Sequence, residues 1–395
     1  MDALTGSVPE PDPEVEFPGD DRELRAAMAL AGSHELAPER LRRVLDRVGS
    51  AAAVVVDGAG RVAWRAFLQP DERKALADLE PAPAERLDRL RDRGIRVVPY
   101  RGPGYPRRLV HLHQPPPALY LAGPLPLEER SVAVVGTRSA TSYGRRAARD
   151  LAGDLARAGW TVVSGLARGI DAAAHRAALD AGGRTVAVLG SGLDHRYPAS
   201  NRELYDRLEE HGLLVTEFSP EQPPQRWTFP KRNRIIAALS AGVVVVQAPG
   251  RSGALITADQ ALELGREVFA VPGPVGTPAS AGTHDLLRSG AALAARARDV
   301  IEVLEGPGAG AVDAGGSPPG DQRELELDAR SSLDPEGLRT LWTALGDGAE
   351  TLEALQERSG LPAGRLLALL SELELAGRVR CLAGDRYQPI PTRPR

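Results

Sequence analysis

The residues best able to meet a phosphate are arginines set in short loops of small residues. Gly136-Thr137-Arg138-Ser139, Ser164-Gly165-Leu166-Ala167-Arg168-Gly169 and Pro249-Gly250-Arg251-Ser252-Gly253 each follow an apolar run and lead into helical spacing, and Gly190-Ser191-Gly192 is a fourth loop of the same kind. Small residues let backbone amides approach a ligand, and helix N-termini attract anions. An arginine fork presents its N–H donors to phosphate oxygens in matching geometry. One such loop reads equally as a tight turn with its arginine in solvent. Three in series point to an extended anion site.

A second signal lies between Arg226 and Arg251. That stretch holds Lys231, Arg232 and Arg234 without an Asp or Glu, and Trp227 and Phe229 are interleaved with the first charges. Basic groups that track a backbone beside aromatics that stack on bases suit a single-stranded nucleic acid. A basic loop with its aromatics packed inward would give the same string.

Other chemistries fit poorly. The first loop lacks Gly-x-Gly-x-x-Gly, and the second strand ends in Ser164 where a ribose-binding acid would stand. There is no Gly-x-x-x-x-Gly-Lys-Ser/Thr loop. Asp171 and His175, four apart, are expected to cap the helix start or pair with each other, and Asp194–His195 to orient a turn. Glu217 is the one carboxylate at a strand end, placed either for chemistry or to brace the arginine-rich loops. The single cysteine, Cys381, excludes an intramolecular disulfide and a cysteine-cluster metal site. No catalytic group, metal or cofactor is expected.

The elements that must position these residues show in the apolar pattern. Ser131–Val135, Thr161–Val163, Thr185–Leu189, Leu213–Thr216, Gly242–Gln247 and Val268–Val271 are short continuous runs rich in β-branched residues, separated by helical segments. They predict parallel strands buried on both faces, a doubly wound α/β sheet. Ligands of such sheets sit outside the strands' carboxyl ends, where the arginine loops fall. Before the sheet, Leu24, Met28 and Leu30, then Leu41, Val44, Leu45 and Val48, predict an antiparallel helix pair. Such hairpins are more often packing modules than DNA contacts. After it, residues 306–333 read as a flexible linker, and 334–395 as three helices and a hairpin turning at Gly384–Asp385, the layout of a winged helix. Its Pro362–Leu375 segment, in the recognition position, carries Arg365 beside Glu372 and Glu374 and suits a protein partner as well as DNA.

Length and charge agree. The chain has 395 residues with 42% hydrophobic and 26% charged, enough for two or three domains of a folded protein. A net charge of -4 disfavours a uniformly basic DNA-binding surface but permits a local patch. Met1–Asp20, rich in proline and acid, reads as a tail without signal-peptide character, and no apolar run reaches membrane-spanning length. The cytoplasm is the expected compartment.

In order and content, several strings resemble the DNA-processing protein A (Smf) family of bacterial natural transformation. They include Pro115-Pro116-Pro117 through Tyr120, Val132–Arg138, Ser164–Asp171 with His175, and Phe229-Pro230-Lys231-Arg232-Asn233-Arg234-Ile235-Ile236. Ser252–Thr257 and Gly265–Gly273 complete the match over about residues 100–300. The resemblance implies an extended Rossmann-like domain (81–305) that binds single-stranded DNA, acts as a homodimer, protects incoming strands and helps load the RecA recombinase. It also implies a SAM-like helical module (21–80), a winged helix, and no established enzymatic activity. By position, Gly136, Arg138, Ser164, Gly165, Arg168 and Gly169 would contact phosphates and Phe229 would stack on a base, with Arg226 as a basic contact. Lys231, Arg232, Asn233 and Arg234 would line the strand, and Ser252, Gly253 and Thr257 would close the pocket. The rival reading is a nucleoside-monophosphate phosphoribohydrolase, whose Pro-Gly-Gly-x-Gly-Thr-x-x-Glu motif would need a glutamate where Thr257 stands.

Overall fold

The computed structural model describes residues 20–33, 35–55, 68–127, 130–306, 340–341, 343–345, 350–375, 378–382 and 386–389. The chain divides into two compact units, Met1–Ala314 and Gly315–Arg395. The expected tail up to residue 19, nearly all of the linker and the Gly384–Asp385 turn lie outside the described residues.

The first unit is built on a nine-stranded sheet in the order β1-β2-β6-β5-β4-β3-β7-β8-β9. The strands are β1 (Ile95–Pro99), β2 (Ala118–Ala122), β3 (Ser131–Val135), β4 (Thr161–Ser164), β5 (Thr185–Val188), β6 (Leu213–Thr216), β7 (Gly242–Val245), β8 (Glu267–Ala270) and β9 (Ala292–Leu293). From β6 to β9 every pairing is parallel, as the β-branched runs predict. β1 and β2 pair antiparallel, and β2 joins β6 antiparallel. Sequence patterning missed this added antiparallel pair, whose strands are bounded by Pro99 and by Pro115–Pro117, residues that argue against a strand.

Strand alternation splits the interior into two cores. Ala133, Val135, Val163, Val243 and Val245 face one apolar cluster, and Val132, Val134, Val162, Val244 and Val246 face the other. Helices Ser142–Arg157, Ile170–Asp180 and Ala297–Glu305 cover the second, while Arg202–His211, Thr228–Leu239 and Gly253–Glu263 cover the first. Successive side chains of a strand point to opposite faces, so continuous apolar runs require cover on both sides. Helices Asp21–Gly32 and Pro38–Val48 form as predicted, the latter ending at Gly49 with φ 81°. Their buried residues belong to the same cluster as β1 and β2.

The second unit holds helices Leu352–Ser359 and Ala363–Leu375 and a small sheet, in which β10 (Glu350–Thr351) and β11 (Val379–Leu382) flank β12 (Arg386–Pro389). Leu341, Leu345, Leu355, Leu366 and Leu370 form its own core. These are the parts of a winged helix. Among the described residues no helix is long and apolar enough to cross a membrane.

One polar pair on the Ile170–Asp180 helix differs from expectation. His175 does not meet Asp171. Its Nδ1 lies 2.7 Å from Thr185 Oγ1, whose own proton goes to the Val162 carbonyl at 2.7 Å, so Nδ1 is the donor. Asp171 instead accepts from the Ala167 amide at 3.4 Å, in the loop that leads into the helix. Burial pushes the His175 imidazole down to about 3. An unfolded chain therefore binds a proton here that the folded one refuses between about pH 6.5 and pH 3, and stability falls as pH drops through that window. Urea unfolding should show the wild type losing about 2 kcal/mol more than His175→Gln between pH 7 and pH 5.

Candidate nucleic-acid interface

The strand order reverses at β3: the chain moves outward through β4, β5 and β6, then returns to place β7 on the other side. A crevice opens at such a switch point beyond the carboxyl ends. Here it is an open cleft of about 580 Å3 between the loops after β3 and β7 and the start of the Thr228–Leu239 helix. Gln247 fixes this junction. Its carbonyl accepts from the Thr137 amide at 2.8 Å and its Oε1 from the Thr141 amide at 2.9 Å. Gly136 is required because a Cβ there would stand 2.6 Å from Ile170 and 2.8 Å from that carbonyl.

Gly136, Arg138, Arg226, Phe229, Asn233, Ser252, Gly253 and Thr257 all line the cleft, together with Arg251. Gly165 and Arg168 line a small adjoining pocket that also takes in Tyr197 and Phe229. Arg138, Arg168, Arg226 and Arg251 are exposed. The Arg138 guanidinium lies over the Phe229 ring, 4.9 Å from its centroid, and Tyr197 is 5.6 Å from the same ring. Ser252 caps the Gly253–Glu263 helix, accepting from Ala254, and Asn233 donates to the Gly253 carbonyl at 3.2 Å. The free amides of that helix start add positive potential to the cleft.

The remaining residues of the predicted set are buried or half-buried, although Arg232 also borders the cleft. Arg232 is buried, with Nη1 donating to the carbonyls of Gly165 (at 2.7 Å) and Val188. Burial pulls its guanidinium down to about 10, with the neighbouring Asp171 carboxylate opposing, so it stays charged at neutral pH. Burial in turn pushes Asp171 up, and Arg232 and the Gly165 and Ala167 amides oppose that. Arg234 pairs with buried Glu217 at 2.6 Å, and Lys231 stands 3.5 Å from the same carboxylate. Glu217 is thus a brace. Ser164 is buried and donates to the Val134 carbonyl at 2.7 Å. Gly169, with φ 81°, starts the Ile170–Asp180 helix against the Thr137 and Arg138 carbonyls.

The inward turn of Arg232 was legible in helical phase. It stands three and four residues before buried Ile235 and Ile236 and four after buried Thr228. Reading the basic run by charge alone conceals this. Likewise, Gly165 gives room to a side chain: a Cβ there would meet the Arg232 guanidinium at 2.5 Å. Among the described residues lining the cleft, the one carboxylate is Asp171, which is buried and offset by the nearby Arg232 charge. The open wall is therefore cationic and aromatic. Gly165→Ala should cost about 1–3 kcal/mol of stability by displacing a buried charge, measurable as a lowered urea midpoint.

Comparisons with known proteins agree with this architecture. The family described as DNA recombination-mediator protein A matches residues 96–305, and the DprA winged helix domain matches residues 324–385. The chain is 44% identical over 220 residues to the DNA processing protein DprA of Bacillus subtilis, covering 55% of this chain and 74% of that protein. It is 41% identical over 294 residues to protein Smf of Escherichia coli, covering 73% and 76%. The X-ray structure of DprA from Streptococcus pneumoniae aligns with a TM-score of 0.61 at 33% identity, over 73% of this chain and 99% of that one. With both family models matching and relatives above 40% identical, this chain belongs to the DNA recombination-mediator protein A family, the DprA/Smf proteins of DNA processing.

Proposed function

We propose that this protein binds single-stranded DNA along the carboxyl edge of its sheet and, as a homodimer, protects that strand and helps load RecA onto it. The observation that carries the binding reading is the Arg138–Phe229 stack in a cleft edged by Arg168, Arg226 and Arg251 with no free carboxylate among the described lining residues. Exposed guanidinium groups can pair with phosphates, and an aromatic face offers every base the same platform, which gives affinity without sequence preference. The half-buried Phe229 is held ready by Gly190, whose missing side chain leaves room for the ring. Duplex DNA keeps its bases stacked on one another and cannot use that platform.

The ribohydrolase reading lacks its central group. Thr257, at the position a catalytic glutamate would need, is buried on the Gly253–Glu263 helix, and a hydroxyl cannot stabilise an oxocarbenium charge as a carboxylate does. The protein is read as a binding module and not as an enzyme. Release of a free base from a nucleoside monophosphate would overturn that.

A labelled single-stranded oligonucleotide should bind well above its duplex, with affinity falling steeply as salt rises. Arg138→Ala should weaken binding about tenfold or more while leaving the melting temperature unchanged, and should flatten the log–log salt slope by about 0.7 for each phosphate that the variant no longer meets. Gly190→Ala should also weaken binding by tilting Phe229, whose Cδ1 would lie 2.7 Å from the new methyl. Equal affinity for single strand and duplex would contradict the reading.

A further inference from the structure

A second aromatic group stands outside the cleft. Trp227 is 47% exposed, among the most exposed large apolar side chains of the described residues. It does not pack into the interior. Its ring meets Phe218 edge to face, with centroids 5.8 Å apart at 80°, and its indole N–H donates to Gln225 Oε1. The Lys231 ammonium lies 5.8 Å from the Trp227 centroid and 5.5 Å from that of Phe218. Lys231 is only partly neutralised, because buried Glu217 is shared with Arg234 at the shorter distance of 2.6 Å. Two cations face one carboxylate, so the group keeps positive charge.

The position of this cluster in the sheet gives it meaning. Phe218 follows β6, the Gly190 loop beneath Phe229 follows β5, Arg138 follows β3, and Ser252 follows β7. Along the carboxyl edge the order is therefore Ser252, Arg138, Phe229 with Tyr197, then Trp227 with Lys231. Five adjacent strands at about 4.8 Å spacing span about 19 Å, room for several nucleotides. Aromatic and cationic groups share that line.

We propose that Trp227, seated on Phe218 and flanked by Lys231, is a second base-stacking platform at the β6 end of the track, with Lys231 meeting the adjoining phosphate. The inference rests on the single-strand reading above and extends it beyond the cleft. A half-exposed indole loses little by being covered by a base, and Phe218 and the Gln225 contact hold its ring in place before the strand arrives. Neither Trp227 nor Lys231 lines the cleft, so a strand short enough to fill only the cleft would leave both untouched.

The test uses oligo-dT of graded length with the wild-type full chain, Trp227→Ala, Trp227→Phe and Arg138→Ala. For long oligonucleotides Trp227→Ala should weaken binding roughly 5- to 150-fold, and Trp227→Phe should recover part of the loss. For the shortest oligonucleotides that still bind, Trp227→Ala and wild type should agree, and their melting temperatures should match. A single abasic site moved along the long oligonucleotide should reveal two sensitive positions in the wild type and one in Trp227→Ala. If Arg138→Ala binds weakly while Trp227→Ala matches wild type at every length, the second platform is wrong and the cleft reading stands. An equal loss at all lengths with a lowered melting temperature would show Trp227 to be merely structural, which also overturns the proposal. Failure of the wild type to bind any single strand would remove both readings.

Discussion

A single buried charge holds the edge of this sheet together. The Arg232 guanidinium enters from the Thr228–Leu239 helix and ties the ends of β4 and β5 through the carbonyls of Gly165 and Val188. Taking a guanidinium out of water is costly, and an interior arginine persists only where its charge and its N–H groups are answered. Asp171 answers the charge from the start of the Ile170–Asp180 helix, and the two carbonyls answer the donors. Three segments distant in sequence thereby acquire one geometry. Phe229 lies three residues before Arg232 in the same helix, so the aromatic that faces the cleft inherits its position from a charge beneath the surface.

Around that charge the protein sorts its basic residues by depth. Arg138, Arg168, Arg226 and Arg251 stay in solvent. Arg232 and Arg234 are spent inside on Asp171 and Glu217, and Lys231 stands between the two classes. The acids that balance the overall composition are kept away from the open wall or beneath it. A chain of net charge -4 can thus present a cationic cleft, because the sign of a local field follows placement and not the sum.

Much of this is readable in the amino-acid sequence. The runs at β3 to β8 are dense in valine and buried on both faces, and that composition admits few folds. The loops that follow them can be placed on one edge from topology alone. The antiparallel β1–β2 addition is not readable, because prolines at 99 and 115–117 bound its strands and mask them as loop. Side-chain direction is the other gap. Charge suggests that all of 231–234 faces a ligand, whereas helical phase assigns Arg232 to the stripe of Ile235 and Ile236. Where polarity and periodicity disagree, periodicity is correct, since a buried partner can satisfy polarity and nothing can rotate one residue out of a helix.

Gly165 and Arg232 stand 67 positions apart in sequence, yet one exists as empty space for the other. Their histories must therefore be joined. A methyl group at Gly165 is tolerable only after the guanidinium has shortened or gone, and losing the guanidinium first leaves Asp171 and two carbonyls facing a void. Neither order of change passes through a well-satisfied interior. Such a pair is an evolutionary lock, free to drift only if both positions change together, and it should hold while the surface arginines above it exchange with lysine.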